Sequence, residues 1–296
     1  MRNVKLKPGN CAIIPLEKKL FEDKTGCNPP HYPAKDTNYP FAVCPQCDNP
    51  VKILGFYNDI KPSPYAEHFD EDVVDLASFV AEDKEFCPYY DTRRTISKTA
   101  RKTGNPSFVN EIKSLLNEQY DRIIYLLENA LNIYISNKLA EEMMHSYVAS
   151  RAWLYSWTTI NNLPWTFGYM QVGKSLMGRL IVEKSPLYKA ISKKCKDAQF
   201  EPVGKKGYAK LVSCGKFINL SFCLMHHERK MSNGLVNETV KFVVSHNDEK
   251  IYSEVIKIDE THFINLINQK ANENLRYRKD ELLVIAGKYV KSCGER

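Results

Sequence analysis

The spacing of apolar residues predicts a helical middle section. Residues 107–163 contain no proline or glycine, and their apolar residues recur every three or four positions, which is the period of an amphipathic helix. The pattern predicts a helix that begins at Ser107, breaks near Asn137 and continues to about Thr159. The positions that set this period are Phe108, Ile112, Leu115, Leu116, Ile123, Ile124, Leu127, Leu131 and Ile135, followed by Met143, Tyr147, Trp153 and Leu154.

The period shortens to two after Gly207. Alternating apolar and polar residues predict four antiparallel strands in a meander, over residues 208–212, 216–225, 238–245 and 251–258, with a hairpin turn at 246–250. Residues 168–195, 261–270 and 280–289 read as helices, the first with a break at Ser185-Pro186.

The first hundred residues contain many prolines and predict loops, with one strand over residues 51–57. Such a segment buries little apolar surface, so a bound metal is a plausible cross-link. We expect an α+β protein with two parts: a zinc-binding module over 1–104, and a helical and antiparallel β domain over 105–296.

A cysteine pair gives the strongest chemical signal. Cys44 and Cys47 are separated by two residues, the spacing at which two thiolates bind one tetrahedral Zn²⁺. His68 and Cys87 lie beside Pro-Tyr steps and can complete the set. Four protein ligands leave no position for a water molecule, so we expect a structural ion.

A second ligand set competes with the first. Cys27 and His31 precede Cys44 and Cys47 at a spacing that zinc fingers also use. The sequence alone leaves both sets open.

The segment just after Cys87 has a clear excess of positive charge. The chain has a net charge of +7, and residues 88–104 carry five basic side chains against Asp91 alone. A basic segment beside a zinc module predicts contacts with the phosphates of nucleic acid, whereas the alternative is a solvated linker. This basic strip comprises Arg93, Arg94, Lys98, Arg101 and Lys102.

Residues 168–175 match the P-loop pattern G-x4-G-K-S, in which backbone amides and a lysine bind phosphates. Gly168, Gly173, Lys174 and Ser175 are therefore candidate nucleotide-binding residues. A P-loop follows a buried strand in a parallel sheet, and the surrounding pattern does not predict one.

Histidines at strand ends form a further candidate. If their strands pair, His226, His227 and Glu228 would converge with His246 on a metal or a general base. Exposed loop residues are the simpler interpretation. Glu238 and Lys241 are predicted to lie on opposite faces of one strand, which argues against a nuclease-type pair.

Composition restricts the class of protein. The 296 residues are 43% hydrophobic and 26% charged, as in folded globular proteins. No apolar run is long enough to cross a membrane, and no apolar segment typical of secretion follows the first residues. The nine cysteines lack the dense spacing of disulfide-rich domains. We therefore expect a cytoplasmic protein without a membrane partner.

The segments around Cys44, His68 and Cys87 resemble the N-terminal module of uncharacterised bacterial zinc-binding proteins from mobile-element and phage-defence loci, including retron-associated toxins. The resemblance covers about 50 residues. It implies the four zinc ligands and an effector that partners hold inactive, such as a reverse transcriptase with its DNA product. Together these features predict a defence or toxin component that binds or acts on nucleic acid. The alternatives are a P-loop nucleotide hydrolase and a non-enzymatic scaffold, and no catalytic residue is predicted.

Overall fold

The computed structural model of the protein describes residues 1–33, 39–57, 63–103, 106–215, 217–268 and 278–290. In this part of the chain, helices combine with antiparallel sheets, which confirms the α+β class. The helices are α1 (Lys18–Thr25), α2 (Ala81–Glu85), α3 (Pro106–Leu131), α4 (Asn137–Ala149), α5 (Leu163–Tyr169), α6 (Pro186–Lys194), α7 (His262–Asn268) and α8 (Asp280–Val290). The strands are β1 (Asn3–Val4), β2 (Ile14–Pro15), β3 (Phe41–Val43), β4 (Pro50–Leu54), β5 (Tyr65–His68), β6 (Lys174–Ser175), β7 (Leu180–Val182), β8 (Ala198–Pro202), β9 (Tyr208–Ser213), β10 (Leu220–Ser232), β11 (Leu235–His246) and β12 (Glu249–Ile258). Residue 104, at the predicted domain boundary, and residues 216, 269 and 270, at the ends of predicted elements, lie outside the described residues.

The N-terminal region is built on a small antiparallel sheet in the order β3-β4-β5. The pair β1-β2 joins this sheet through backbone hydrogen bonds between Lys5 and Val43. Phe21 of α1 is fully buried and packs in one hydrophobic core with Val51 and Ile53 of β4. This core belongs to the N-terminal region. The strand predicted over residues 51–57 is present in part as β4, which ends at Leu54.

The predicted long helix is two helices, α3 and α4. They separate where Asn132 adopts a left-handed φ of 57°, and the hydroxyl of Ser136 then accepts a hydrogen bond from the Leu139 amide to cap α4. The predicted continuation to Thr159 is wrong. Arg151, with a φ of 47°, ends the helical backbone, and a short 3-10 turn follows.

Residues 168–195 are mostly not helical, contrary to the prediction. Beyond the end of α5, the chain forms β6 and β7, and only α6 is helical. Gly178 makes the turn between these strands with a φ of 76°, which a residue with a side chain rarely adopts. The predicted break is correct: Ser185 caps α6 by accepting from the Tyr188 amide over 3.1 Å, and Pro186 follows it.

The second half of the chain contains two antiparallel sheets. One has the order β12-β11-β10-β6 and the other β7-β9-β8. The strand predicted over 208–212 is β9 of the second sheet, so the single four-stranded meander is wrong. A turn at Asn233-Gly234 joins β10 to β11, and this pair is a strong hairpin signal that the sequence interpretation missed.

The two larger of three hydrophobic cores in the described residues meet across a polar boundary. The larger core includes Ile112 and most buried residues after it, and the smaller core belongs to the N-terminal region. Asn161 Nδ2 donates to the Pro45 carbonyl over 2.7 Å, and Gln46 Nε2 donates to Glu260 Oε2 over 2.8 Å. These bonds fix the cysteine-containing turn against the second part of the chain.

Candidate metal centre and basic surface

Cys44, Cys47, His68 and Cys87 converge at one point. Their ligand atoms all lie within 4.8 Å of one another. The two thiols of the Cys-x-x-Cys turn come from the β3-β4 connection, the imidazole from the end of β5, and the last thiol from the turn after α2. The sequence thus identified a set of residues that the fold brings together.

The distances in the cluster match those of a tetrahedral site. Cys44 Sγ and Cys87 Sγ are 3.6 Å apart, and Cys47 Sγ is 3.3 Å from His68 Nε2. In a tetrahedron with metal–sulfur bonds of about 2.3 Å, neighbouring sulfurs lie about 3.8 Å apart. The four donors can therefore surround one metal ion without rearrangement of the backbone.

Asn49 supports the cluster, and the sequence interpretation missed it. Its side chain is fully buried, and its Nδ2 donates to Cys47 Sγ over 3.4 Å and to the Val80 carbonyl over 3.1 Å. Its Oδ1 accepts from the Val80 amide over 2.6 Å. Asn49 therefore orients one ligand and ties the turn to the segment before α2.

The turn stabilises a thiolate at Cys44. Burial opposes ionisation, but hydrogen bonds from Cys47, from Cys87 and from the amides of Gln46 and Cys47 bring the pKa of Cys44 well below its usual value. Burial and the neighbouring sulfurs raise the pKa of Cys87. The cluster thus accommodates one thiolate readily, and a cation would compensate the charge of the others.

The competing ligand set is not assembled. Cys27 is exposed, and His31 Nδ1 lies 2.9 Å from the Phe41 carbonyl oxygen. Neither residue belongs to the metal-type cluster found among the described residues. The alternative set with Cys27 and His31 is therefore wrong for this fold.

The basic strip is only partly on the surface. Arg93, Arg94 and Arg101 are exposed, whereas Lys98 is half-buried and donates to the Gln171 carbonyl over 2.8 Å. Lys102 is 6% exposed, and burial lowers its pKa to about 8. The expectation that Lys102 contacts phosphate on the surface is wrong, because its side chain points inward.

The pairing of the strip explains why Lys102 faces inward. Arg101 forms an isolated antiparallel bridge with Tyr155, and the Lys102 amide donates to the Leu154 carbonyl over 2.9 Å. In an extended segment, successive side chains point to opposite sides. Arg101 therefore faces solvent, while Lys102 Nζ donates to the Thr158 carbonyl over 3.3 Å.

Residues 168–175 do not form a P-loop, so that alternative is wrong in its structural context. Gly168 is buried in α5, Gly173 lies in the irregular segment before β6, and Lys174 and Ser175 form β6, which pairs antiparallel with β10. The segment follows a helix and ends in a strand, the reverse of the required order. Gly168 instead permits close packing, since a Cβ there would lie 2.8 Å from Leu224 Cδ1.

The histidines at the strand ends do not converge. His246 pairs with Leu220 at one end of the β10-β11 hairpin, whereas His226 lies near the irregularity in the middle of the ladder. His227 is buried, and its Nε2 lies 2.5 Å from Glu238 Oε1 on the adjacent strand. The predicted convergence is wrong, and the strand pairing creates a different, buried contact.

Glu238 is the centre of this buried network. Arg229 Nε and Asn162 Nδ2 also donate to its Oε1, over 3.1 and 2.8 Å. Burial raises the pKa of Glu238, but Arg229 and His227 outweigh it and hold the pKa at about 2. Burial lowers the pKa of His227. A carboxylate can only accept, so His227 Nε2 donates to Glu238, while Nδ1 lies 3.1 Å from the Tyr155 hydroxyl.

Comparisons of this chain with protein-family models, curated proteins and solved structures give no significant match. Among the described residues, no helix is long and apolar enough to cross a membrane.

Proposed function

We propose that Cys44, Cys47, His68 and Cys87 bind one Zn²⁺ that stabilises the N-terminal region. The observation that carries this proposal is the convergence of four ligand atoms within 4.8 Å. Three thiolates and one imidazole form a donor set typical of structural zinc sites, and soft sulfur ligands disfavour magnesium and calcium. The ion joins the turn between β3 and β4, the end of β5 and the turn after α2.

Metal analysis of the purified protein tests the zinc site. We expect about one zinc per chain in the unaltered protein and in Cys27→Ser, which replaces an exposed cysteine outside the cluster. Cys87→Ser should lose most of the metal. Equal zinc content in both variants, or no bound metal in the unaltered protein, would refute the proposal.

The second part of the proposal is that the protein binds nucleic acid through Arg93, Arg94 and Arg101. These side chains are exposed, and their segment is fixed in place by an antiparallel bridge between Thr95 and Glu228 and by the bridge at Arg101. Guanidinium groups on a fixed backbone suit phosphate contacts, which carry most sequence-independent affinity. This rigidity favours a binding surface over a solvated linker.

Salt titration of oligonucleotide binding tests this surface. Arg94→Gln combined with Arg101→Gln should weaken binding and reduce the slope of log affinity against log salt by about 0.9 for each lost duplex phosphate contact. Lys257→Gln removes an exposed cation on β12 and is the matched control. Binding that is insensitive to salt, or equal losses in both variants, would exclude the assignment.

The role of a bacterial defence or toxin effector remains the narrower part of the proposal. Its support is the resemblance of the segments around Cys44, His68 and Cys87. Co-purification from a bacterial host tests it: a reverse transcriptase with its DNA product should accompany the protein. Expression alone should then slow growth, and co-expression of the partner should restore it.

A further inference from the structure

A cavity of about 500 Å³ lies between the cysteine cluster and the second part of the chain. Gln46, Asp83, Phe86 and Lys102 line it from the first 104 residues, and Phe108 lines it from the second part of the chain. This volume is within the range of small-molecule binding sites. Its position at the boundary of two cores is also where such sites commonly occur.

Three neutral polar atoms of residues that line the cavity have no hydrogen-bond partner within the described part of the chain: Gln46 Oε1, Ser156 Oγ and Thr158 Oγ1. Their residues are 7%, 1% and 0% exposed. Leaving a buried polar group unpaired is unfavourable, because the group loses its hydrogen bonds to water without replacing them. Three such groups around one cavity are therefore expected to serve a ligand.

The fold fixes these groups in position. Glu260 holds the Nε2 of Gln46 over 2.8 Å, so Oε1 is the atom of this amide that has no partner. The backbone of Ser156 is bonded to the Ala100 carbonyl over 3.2 Å. Trp157, between the two hydroxyl residues, turns away and donates to Asp91 over 2.9 Å. Ser156 and Thr158 lie in one tight turn, which the Thr158 amide closes by donating to the Tyr155 carbonyl over 2.8 Å.

The charges in the cavity select against an anion. Lys102 is the basic lining residue, and its ammonium lies 4.0 Å from Asp83 Oδ1. Asp48 and Glu111 add two further carboxyl groups to the lining. A phosphate inside would meet more negative than positive charge, so a neutral molecule with both donors and acceptors fits better.

The aromatic lining suits a flat ring. Phe86 and Phe108 contribute to the wall, and the Arg93 guanidinium lies 5.5 Å from the centre of the Phe86 ring. The basic strip therefore borders the cavity: Lys102 lines it, while Arg93 covers one of its aromatic residues. Amide, hydroxyl and carboxyl groups beside aromatic rings match the polar edge and apolar faces of a nucleobase.

We propose that this cavity binds a single nucleobase or nucleoside, with Gln46, Ser156 and Thr158 bonded to its polar edge. The choice of a nucleobase among neutral heterocycles rests on the nucleic-acid binding proposed above. In that arrangement, the phosphates of a strand lie on the exposed arginines, and one unstacked base enters the cavity.

Titration of the full chain with adenosine, guanosine, cytidine and uridine tests the cavity, because these probes carry no phosphate. At least one should bind saturably, and Thr158→Val should weaken its binding about tenfold. Ser156→Ala provides a second variant should Thr158→Val fold poorly. The control is Thr166→Val, which removes a buried hydroxyl bonded within α5 and should leave nucleoside binding unchanged.

The outcomes separate this proposal from the one on the basic strip. Absence of binding by all four nucleosides, or binding that both cavity variants leave unchanged, overturns the cavity proposal. Salt-dependent oligonucleotide binding can persist in that case, since the arginines lie outside. Nucleoside binding without oligonucleotide binding would instead support the cavity and overturn the role of the strip.

Discussion

The side-chain amide of Asn49 donates a hydrogen bond to Cys47 Sγ over 3.4 Å. This bond orients a thiolate and offsets part of its charge, as groups around metal ligands commonly do. Because the same side chain bonds Val80 twice, it also determines where the turn sits. Asn49 is therefore a positioning residue for the metal centre.

Asn49→Ala should weaken metal binding by about 10- to 100-fold, since this is the usual effect of losing such a partner. Competition with a chromophoric chelator measures the affinity. Asn237→Ala, at an exposed position near the start of β11, tests for a general effect of losing an asparagine and should leave the affinity unchanged. Equal affinities for Asn49→Ala and the unaltered protein would contradict this role.

Removal of the metal should unfold the N-terminal region and spare the helical core. The smaller core is limited in size and depends on segments joined at the cluster, and metal binding contributes directly to the folding of such regions. Hydrogen exchange with and without a strong chelator measures this. Protection should fall in β3 to β5 and persist in α3. Unchanged exchange throughout would show that the cluster does not depend on a metal.

Glu238→Gln should destabilise the protein by about 3–5 kcal/mol, because it leaves the buried Arg229 without its counter-ion. Chemical denaturation measures the free energy of unfolding. Glu249→Gln at the exposed start of β12 is the control, and surface changes of this kind stay within about 0.5 kcal/mol. Equal stability of the two variants would show that Glu238 does not hold the network together.

Glu111 should make stability depend on pH. Burial and the nearby Asp48 raise its pKa to about 7, above the value of the unfolded chain, so the folded state binds the proton more tightly. Its contribution is fully present below the unfolded pKa and is lost as pH rises through about 7. The free energy of unfolding of the protein minus that of Glu111→Gln should fall across this window. A difference that is constant with pH would contradict the raised pKa.

Local sequence patterns predicted the metal cluster, because each ligand lies in or near a recognisable short motif. The Cys-x-x-Cys turn identifies Cys44 and Cys47 by spacing alone. The roles of Asn49 and Lys102 were not predictable, since they depend on Val80 and on Tyr155, the bridge partner of Arg101. The same limit applies to the cavity, whose polar groups come from distant segments of the chain.

The P-loop match shows the opposite failure, in which a motif is present but its context is not. Gly168 fits the pattern, yet the packing of α5 against α3 and β10 explains the glycine: a Cβ would lie 2.9 Å from Leu127 Cδ2 and 2.8 Å from Leu224 Cδ1. Gly173 lies in an irregular segment, and Lys174 belongs to an antiparallel strand. A four-residue match therefore carries little information without the strand and helix that give it function.

Gly168→Ala tests the packing explanation directly. The added methyl group must displace two leucine side chains, and overpacking of this kind costs about 1–3 kcal/mol. Gly287 in α8 is the matched control, since a Cβ there would lie 3.4 Å from Asn117 Oδ1, and Gly287→Ala should be neutral or stabilising because alanine favours helices. Thermal and chemical denaturation compare the two variants. A loss of stability in Gly287→Ala alone would contradict the packing role of Gly168, and ATP or GTP binding that Gly168→Ala abolishes without loss of stability would restore the nucleotide-site alternative.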